Sequence, residues 1–96
     1  MKISLIKNQE HTFLEYNENV LHITELFAFN NGNDDSTVTI NFNTNGTKSL
    51  LDEKIITNQS STELCSDLNL YLEPNSSYSV LTNTDNIVFR CTHGTT

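Results

Sequence analysis

Residues Thr37 to Asn43 read TVTINFN, and Asn45-Gly46 follows two positions later. This stretch constrains the chain more than any other. Val38, Ile40 and Phe42 share one parity and Thr37, Thr39, Asn41 and Asn43 the other, a period of two that fits a half-buried strand. Asn-Gly is the strongest short signal for a type I′ hairpin turn, because both residues tolerate positive φ. Lys48–Thr57 is therefore predicted to return antiparallel to Thr37–Asn43.

The rest of the chain breaks into similar lengths. Lys2–Lys7 places Ile3 and Leu5 on one face, and His11–Tyr16 carries Phe13 and Leu14 inward. Asn17-Glu18-Asn19 reads as a turn. Val20–Phe29 is the longest apolar run and is predicted to lie in the middle of a sheet. Leu21, Ile23, Phe27 and Phe29 make its expected inward face, which would also turn Glu25 inward. A β-bulge near Thr24-Glu25, or burial on both faces, would resolve that conflict. Asn30–Ser36 (NNGNDDS) is a loop of residues that favour Asx-turns.

Asn58–Thr62 reads as polar and irregular. Alternation resumes at Leu68-Asn69-Leu70-Tyr71-Leu72, and Glu73-Pro74-Asn75 turns the chain. Tyr78 and Val80 share a face in Ser77–Thr82, as do Ile87, Phe89 and Cys91 in the last strand, with a frayed tail expected from His93. About eight short strands with turns every 8–12 residues describe an all-β fold: a single antiparallel β-sandwich, jelly-roll or Ig-like, over residues 1–96.

Composition agrees with that reading. Ala28 is the only alanine, while Ser, Thr and Asn are abundant. Those residues compete for backbone hydrogen bonds and disfavour helices. Leu, Ile, Val and Phe number 27 of 96 residues, enough for a single thin core.

The net charge of −7 and five scattered basic residues, Lys2, Lys7, Lys48, Lys54 and Arg90, argue against nucleic-acid binding. No run has the roughly 20 apolar residues a membrane helix needs, and Lys7 interrupts the N-terminal apolar patch, so neither a membrane span nor a signal peptide is expected. A cytoplasmic origin follows as an expectation.

Chemistry-bearing residues are few and dispersed. His11, His22 and His93 fall on separate elements without metal-ligand spacing, and His22 has surface parity. Asp34-Asp35 lies in a loop that lacks the glutamate of a calcium-binding EF-hand. Cys65 and Cys91 are expected as buried thiols, and neither belongs to a CxxC motif. Asn45, Asn58 and Asn75 open glycosylation sequons at a frequency that composition alone explains. No nucleophile elbow or phosphate loop is visible. These observations predict a protein that is not an enzyme, with no catalytic, cofactor-binding or metal residues and no cofactor. A carbohydrate-binding module is the alternative, and it would require Tyr16, Tyr71 and Tyr78 coplanar on an open face.

The succession HTFLEYNENVLHITELFAFNNGNDDSTVTINF resembles the small β-sandwich virion proteins of tailed bacteriophages. In that pattern a Y-x-x-(turn)-x-x-x-I-x-x-(I/L)-x-x-x-N strand precedes a polar loop and a TVTV-type strand. Tyr16, Ile23, Leu26, Asn30 and Thr37-Val38-Thr39-Ile40 occupy those places. Leu70, Leu72, Pro74, Tyr78 and Val80 are similar to the group's later L-x-L-x-P/A-G-D-x-Y-x-V section, although Asn75-Ser76 stands where Gly-Asp is usual. The resemblance implies a capsid decoration or cement protein of the virion, or a tail or neck component. Its implied partners are the major capsid protein or another virion protein, with homo-oligomeric or lattice-bound attachment.

Overall fold

The computed structural model describes residues 2–16, 21–64 and 74–95. They form eight strands: β1 (Lys2–Ser4), β2 (His11–Glu15), β3 (Leu21–Asn30), β4 (Ser36–Thr44), β5 (Thr47–Ile56), β6 (Ser60–Leu64), β7 (Ser76–Thr82) and β8 (Ile87–Thr95). Two four-stranded sheets result, in the orders β1-β8-β3-β6 and β2-β7-β4-β5. Every pairing is antiparallel. Consecutive strands alternate between the sheets except at the β4–β5 hairpin, the double Greek-key order of a jelly roll. That order decides between the two sandwich topologies expected from sequence.

The predicted hairpin is present. Thr44 pairs with Thr47 across a two-residue turn, and Asn45 and Gly46 have φ of 49° and 81°, the type I′ combination. Val38 and Ile40 are fully buried and Phe42 packs on the core. Tyr78, Val80, Ile87, Phe89 and Cys91 are buried as their parities predict. Phe13 joins the sheets: its ring centroid lies 4.9 Å from that of Phe89 on the first sheet and 6.3 Å from that of Tyr78 on the second. Tyr78 also meets Phe42 at 5.0 Å, so an aromatic chain runs through the core.

Three bulges set which side chains face inward. In β2, Thr12 pairs with Ser79 and Leu14 with Tyr78, leaving Phe13 as the extra residue. Phe13 and Leu14 can therefore both be buried although adjacent. In β5 the extra residue is Leu51, between Leu50 opposite Asn41 and Asp52 opposite Ile40. In β3 it is Thr24, between Ile23 opposite His93 and Glu25 opposite Thr92.

Of the two resolutions that the sequence conflict at Thr24-Glu25 left open, the β3 bulge is the one present, and β3 is central, between β8 and β6. The inward face beyond it is not the expected one. Leu26, Ala28 and Asn30 are buried, while Phe27 is half-buried and Phe29 is 38% exposed. One extra residue exchanges the faces of everything that follows.

Boundaries differ as well, and β1 ends at Ser4 rather than Lys7. The sixth strand is Ser60–Leu64, and its first three residues fall in the segment Asn58–Thr62 read as irregular. It is an edge strand that contributes Leu64 to the core, so it needs little hydrophobic alternation. The alternating run Leu68–Leu72, Cys65 and the turn at Asn17-Glu18-Asn19 lie outside the described residues. The C-terminal tail is not frayed at His93: β8 continues to Thr95, opposite Leu21, because the ten residues of β3 offer it a full-length ladder.

Candidate functional site

Three surfaces carry the polar and exposed apolar residues. The first is the end of the sandwich where the β1–β2, β3–β4, β5–β6 and β7–β8 loops meet. Buried Asn30 organises it. Its Nδ2 donates to Asp34 O (2.8 Å), Ile56 O (3.0 Å) and Ser36 Oγ (3.2 Å), and its Oδ1 accepts from Gly32 N (2.9 Å). Gln59 Nε2 donates to Asn31 O and Gly32 O, and Asp35 Oδ1 accepts from Asn58 N. Asn83 Oδ1 accepts from Thr37 N (2.8 Å), Asp85 Oδ1 accepts from Lys7 N (2.7 Å), and Asn31 N donates to Asn86 O. The amide-rich composition thus serves to satisfy loop backbone groups.

Asp34 and Asp35, the acidic pair of the β3–β4 loop, belong to this end. Asp35 already accepts a backbone N–H, and Asp34 contributes its carbonyl. Among the described residues no group of three or more His, Cys, Asp or Glu side chains is placed to hold a metal ion.

The second surface is the outer face of the β2-β7-β4-β5 sheet. Glu10 accepts from Ser79 Oγ (2.5 Å) and forms an ion pair with Lys48, while Asn43 Nδ2 donates to Ser79 Oγ (3.1 Å). The Lys48 ammonium and the Ser79 hydroxyl hold the Glu10 carboxyl below its ordinary value. Further along β5, Leu50 and Ile55 are 64% and 67% exposed. Both pair with outward residues of β4, Asn41 and Thr37, so they lie on the outer face four β4 positions apart, about 13 Å. Lys54 turns the other way and its Nζ reaches Glu63 O of β6 (3.4 Å).

The third surface is the outer face of the β1-β8-β3-β6 sheet. Register puts Lys2, Arg90, Phe27 and Glu63 in one cross-strand row and Ser4, Val88, Phe29 and Ser61 in the next. A shallow depression of about 190 Å³ is lined by Lys2, Phe29, Asn31 and Val88. The other two described depressions, about 70 and 90 Å³, are smaller. All three fall short of the roughly 300 Å³ at which small-molecule pockets begin. Phe29 was expected inward, so sequence reasoning missed this face. The conflict at Glu25 was the one signal that pointed to it.

The remaining candidates do not converge. His11 is exposed on β2. His22 and His93 are placed by register alone, on neighbouring strands and one step apart, opposite Gly94 and Ile23. Cys91 is a core thiol whose pKa burial pushes up to about 11. Tyr16 is exposed but Tyr78 is buried in the aromatic chain, and Tyr71 lies outside the described residues, so the required tyrosine platform is not formed. No helix among the described residues is long and apolar enough to cross a membrane.

Compared with protein-family models, with curated proteins and with solved structures, the chain finds no match.

Proposed function

We propose that this protein is a non-enzymatic attachment module of a bacteriophage virion, binding the exterior of the capsid through the major capsid protein or a neighbouring virion protein. The observation that carries the attachment chemistry is the outward placement of Leu50 and Ile55 on β5, each about two-thirds exposed on one face of a long strand. Two large apolar side chains sharing a face favour burial against a second surface.

The virion setting rests on the resemblance carried by Tyr16, Ile23, Leu26, Asn30 and Thr37–Ile40, and on an analogy of fold: jelly rolls recur in viral structural proteins, but the fold alone assigns no role. Modest affinity per copy suffices when many copies engage a repeating lattice.

The test is co-sedimentation of the purified protein with capsids that lack it. Saturable pelleting is expected, together with its loss in the folded double variant L50K/I55K. A protein that stays in the supernatant at all concentrations, or that pellets equally well with both lysines in place, would overturn the reading.

A further inference from the structure

The outer face of the β1-β8-β3-β6 sheet differs in charge from the rest of the chain. Lys2 and Arg90 are two of only five basic residues in a protein of net charge −7, and they stand directly opposite each other in the β1–β8 register. Both are exposed. Lys48 is committed to Glu10 and Lys54 to the Glu63 carbonyl, whereas among the described residues no ion pair engages Lys2 or Arg90. In the next cross-strand row Val88 stands opposite Phe29, and both line the 190 Å³ depression together with Lys2 and Asn31. A cationic pair, Lys2 and Arg90, therefore adjoins an apolar pair, Val88 and Phe29, on one face.

The spacing of those rows defines an occupant. Lys2 and Ser4, Arg90 and Val88, and Phe27 and Phe29 are each two residues apart, so the rows are separated by about 6.6–6.8 Å. Side chains i and i+2 of an extended segment project on one side with the same separation. We propose that this face binds an extended segment of a partner protein that presents a carboxylate and, two residues on, a large aliphatic side chain. The carboxylate lies over Lys2 and Arg90, and the aliphatic group fills the Phe29–Val88 depression. Glu63 closes the far end of the same row beyond Phe27, so the part of that row able to receive a carboxylate is confined to Lys2 and Arg90. This surface lies on the opposite sheet from Leu50 and Ile55, so it is a second contact, independent of the first.

The probe is the capped peptide acetyl-Ser-Asp-Ser-Leu-Ser-amide, titrated to millimolar concentration into the full ¹⁵N-labelled chain. Saturable amide shifts are expected at Lys2, Phe29, Asn31, Val88 and Arg90. They should weaken about threefold in K2Q/R90Q, with the Asp→Asn peptide, and at high salt. The F29S variant, checked for unchanged amide dispersion, should lose the response to leucine relative to alanine in the peptide. No saturable shift, shifts centred on Leu50 and Ile55, equal binding of the Asn peptide, or a response to a simple methyl glycoside in place of the peptide would each overturn the proposal.

Discussion

Glu10 and Lys48 are 38 positions apart in sequence, yet their side chains form an ion pair over Ser79 on the outer face of the second sheet. Glu10 precedes β2 at one edge of that sheet and Lys48 lies on β5 at the other. The pair is a strap across four strands. Both partners are partly exposed, so the coupling should be modest, about 0.5–1 kcal/mol in a double-mutant cycle of E10Q and K48Q, and it should fall with salt.

The same pair sets an acid-side pH dependence. The folded-state pKa of Glu10 is held below its ordinary value of 4.5. Its stabilisation is therefore present above that value and is lost as pH falls through the lower, folded value. Urea denaturation at a series of acidic pH values should show a shallower loss of stability for E10Q than for the native chain.

Replacing Asn30 should be among the most damaging polar substitutions. Asn30→Ala leaves Ile56 O and Asp34 O without this donor and Gly32 N without its acceptor. The expected cost is about 2–4 kcal/mol by chemical denaturation. Asn30→Asp preserves the acceptor but faces a carboxylate towards two carbonyl oxygens, so it should not rescue.

Gly32 is required by close approach rather than by its backbone angle. A Cβ there would lie 2.7 Å from Asn86 Cγ and 2.8 Å from Asn86 Cβ. Gly32→Ala should cost about 1–3 kcal/mol, and the double variant G32A/N86A should recover part of that loss, as read by the thermal midpoint.

Cys91 predicts the alkaline limb. Its thiol ionises near 9 when unfolded but only at about 11 in the folded chain. A raised acid pKa contributes stability below the unfolded value and loses it as pH climbs towards the folded one. Stability should fall between these values, less steeply in C91A after allowance for its lower baseline, and native Cys91 should react slowly with thiol reagents.

Much of the fold is legible in the sequence. The Asn45-Gly46 turn and the inward faces of β4, β7 and β8 follow from parity and turn chemistry, and the parity conflict at Thr24-Glu25 marks where β3 is irregular. The β6 strand was missed because an edge strand with one core side chain leaves hardly any hydrophobic signal. Phe29 was assigned inward because hydrophobicity favours the phenylalanine parity, while the extra residue at Thr24 handed the core to Leu26, Ala28 and Asn30.

By itself the sequence determined an all-β chain of short strands and most of its core, because alternation and turn preference act between near neighbours. Only tertiary structure decided that the sheets run β1-β8-β3-β6 and β2-β7-β4-β5, that Asn30 is buried against Gly32, Asp34, Ser36 and Ile56, and that Lys2, Arg90, Phe29 and Val88 share one face. Those juxtapositions depend on strand pairing over distances of tens of residues and on one-residue bulges. Neither leaves a mark in composition, and both are settled by which arrangement buries the apolar faces while satisfying every backbone group.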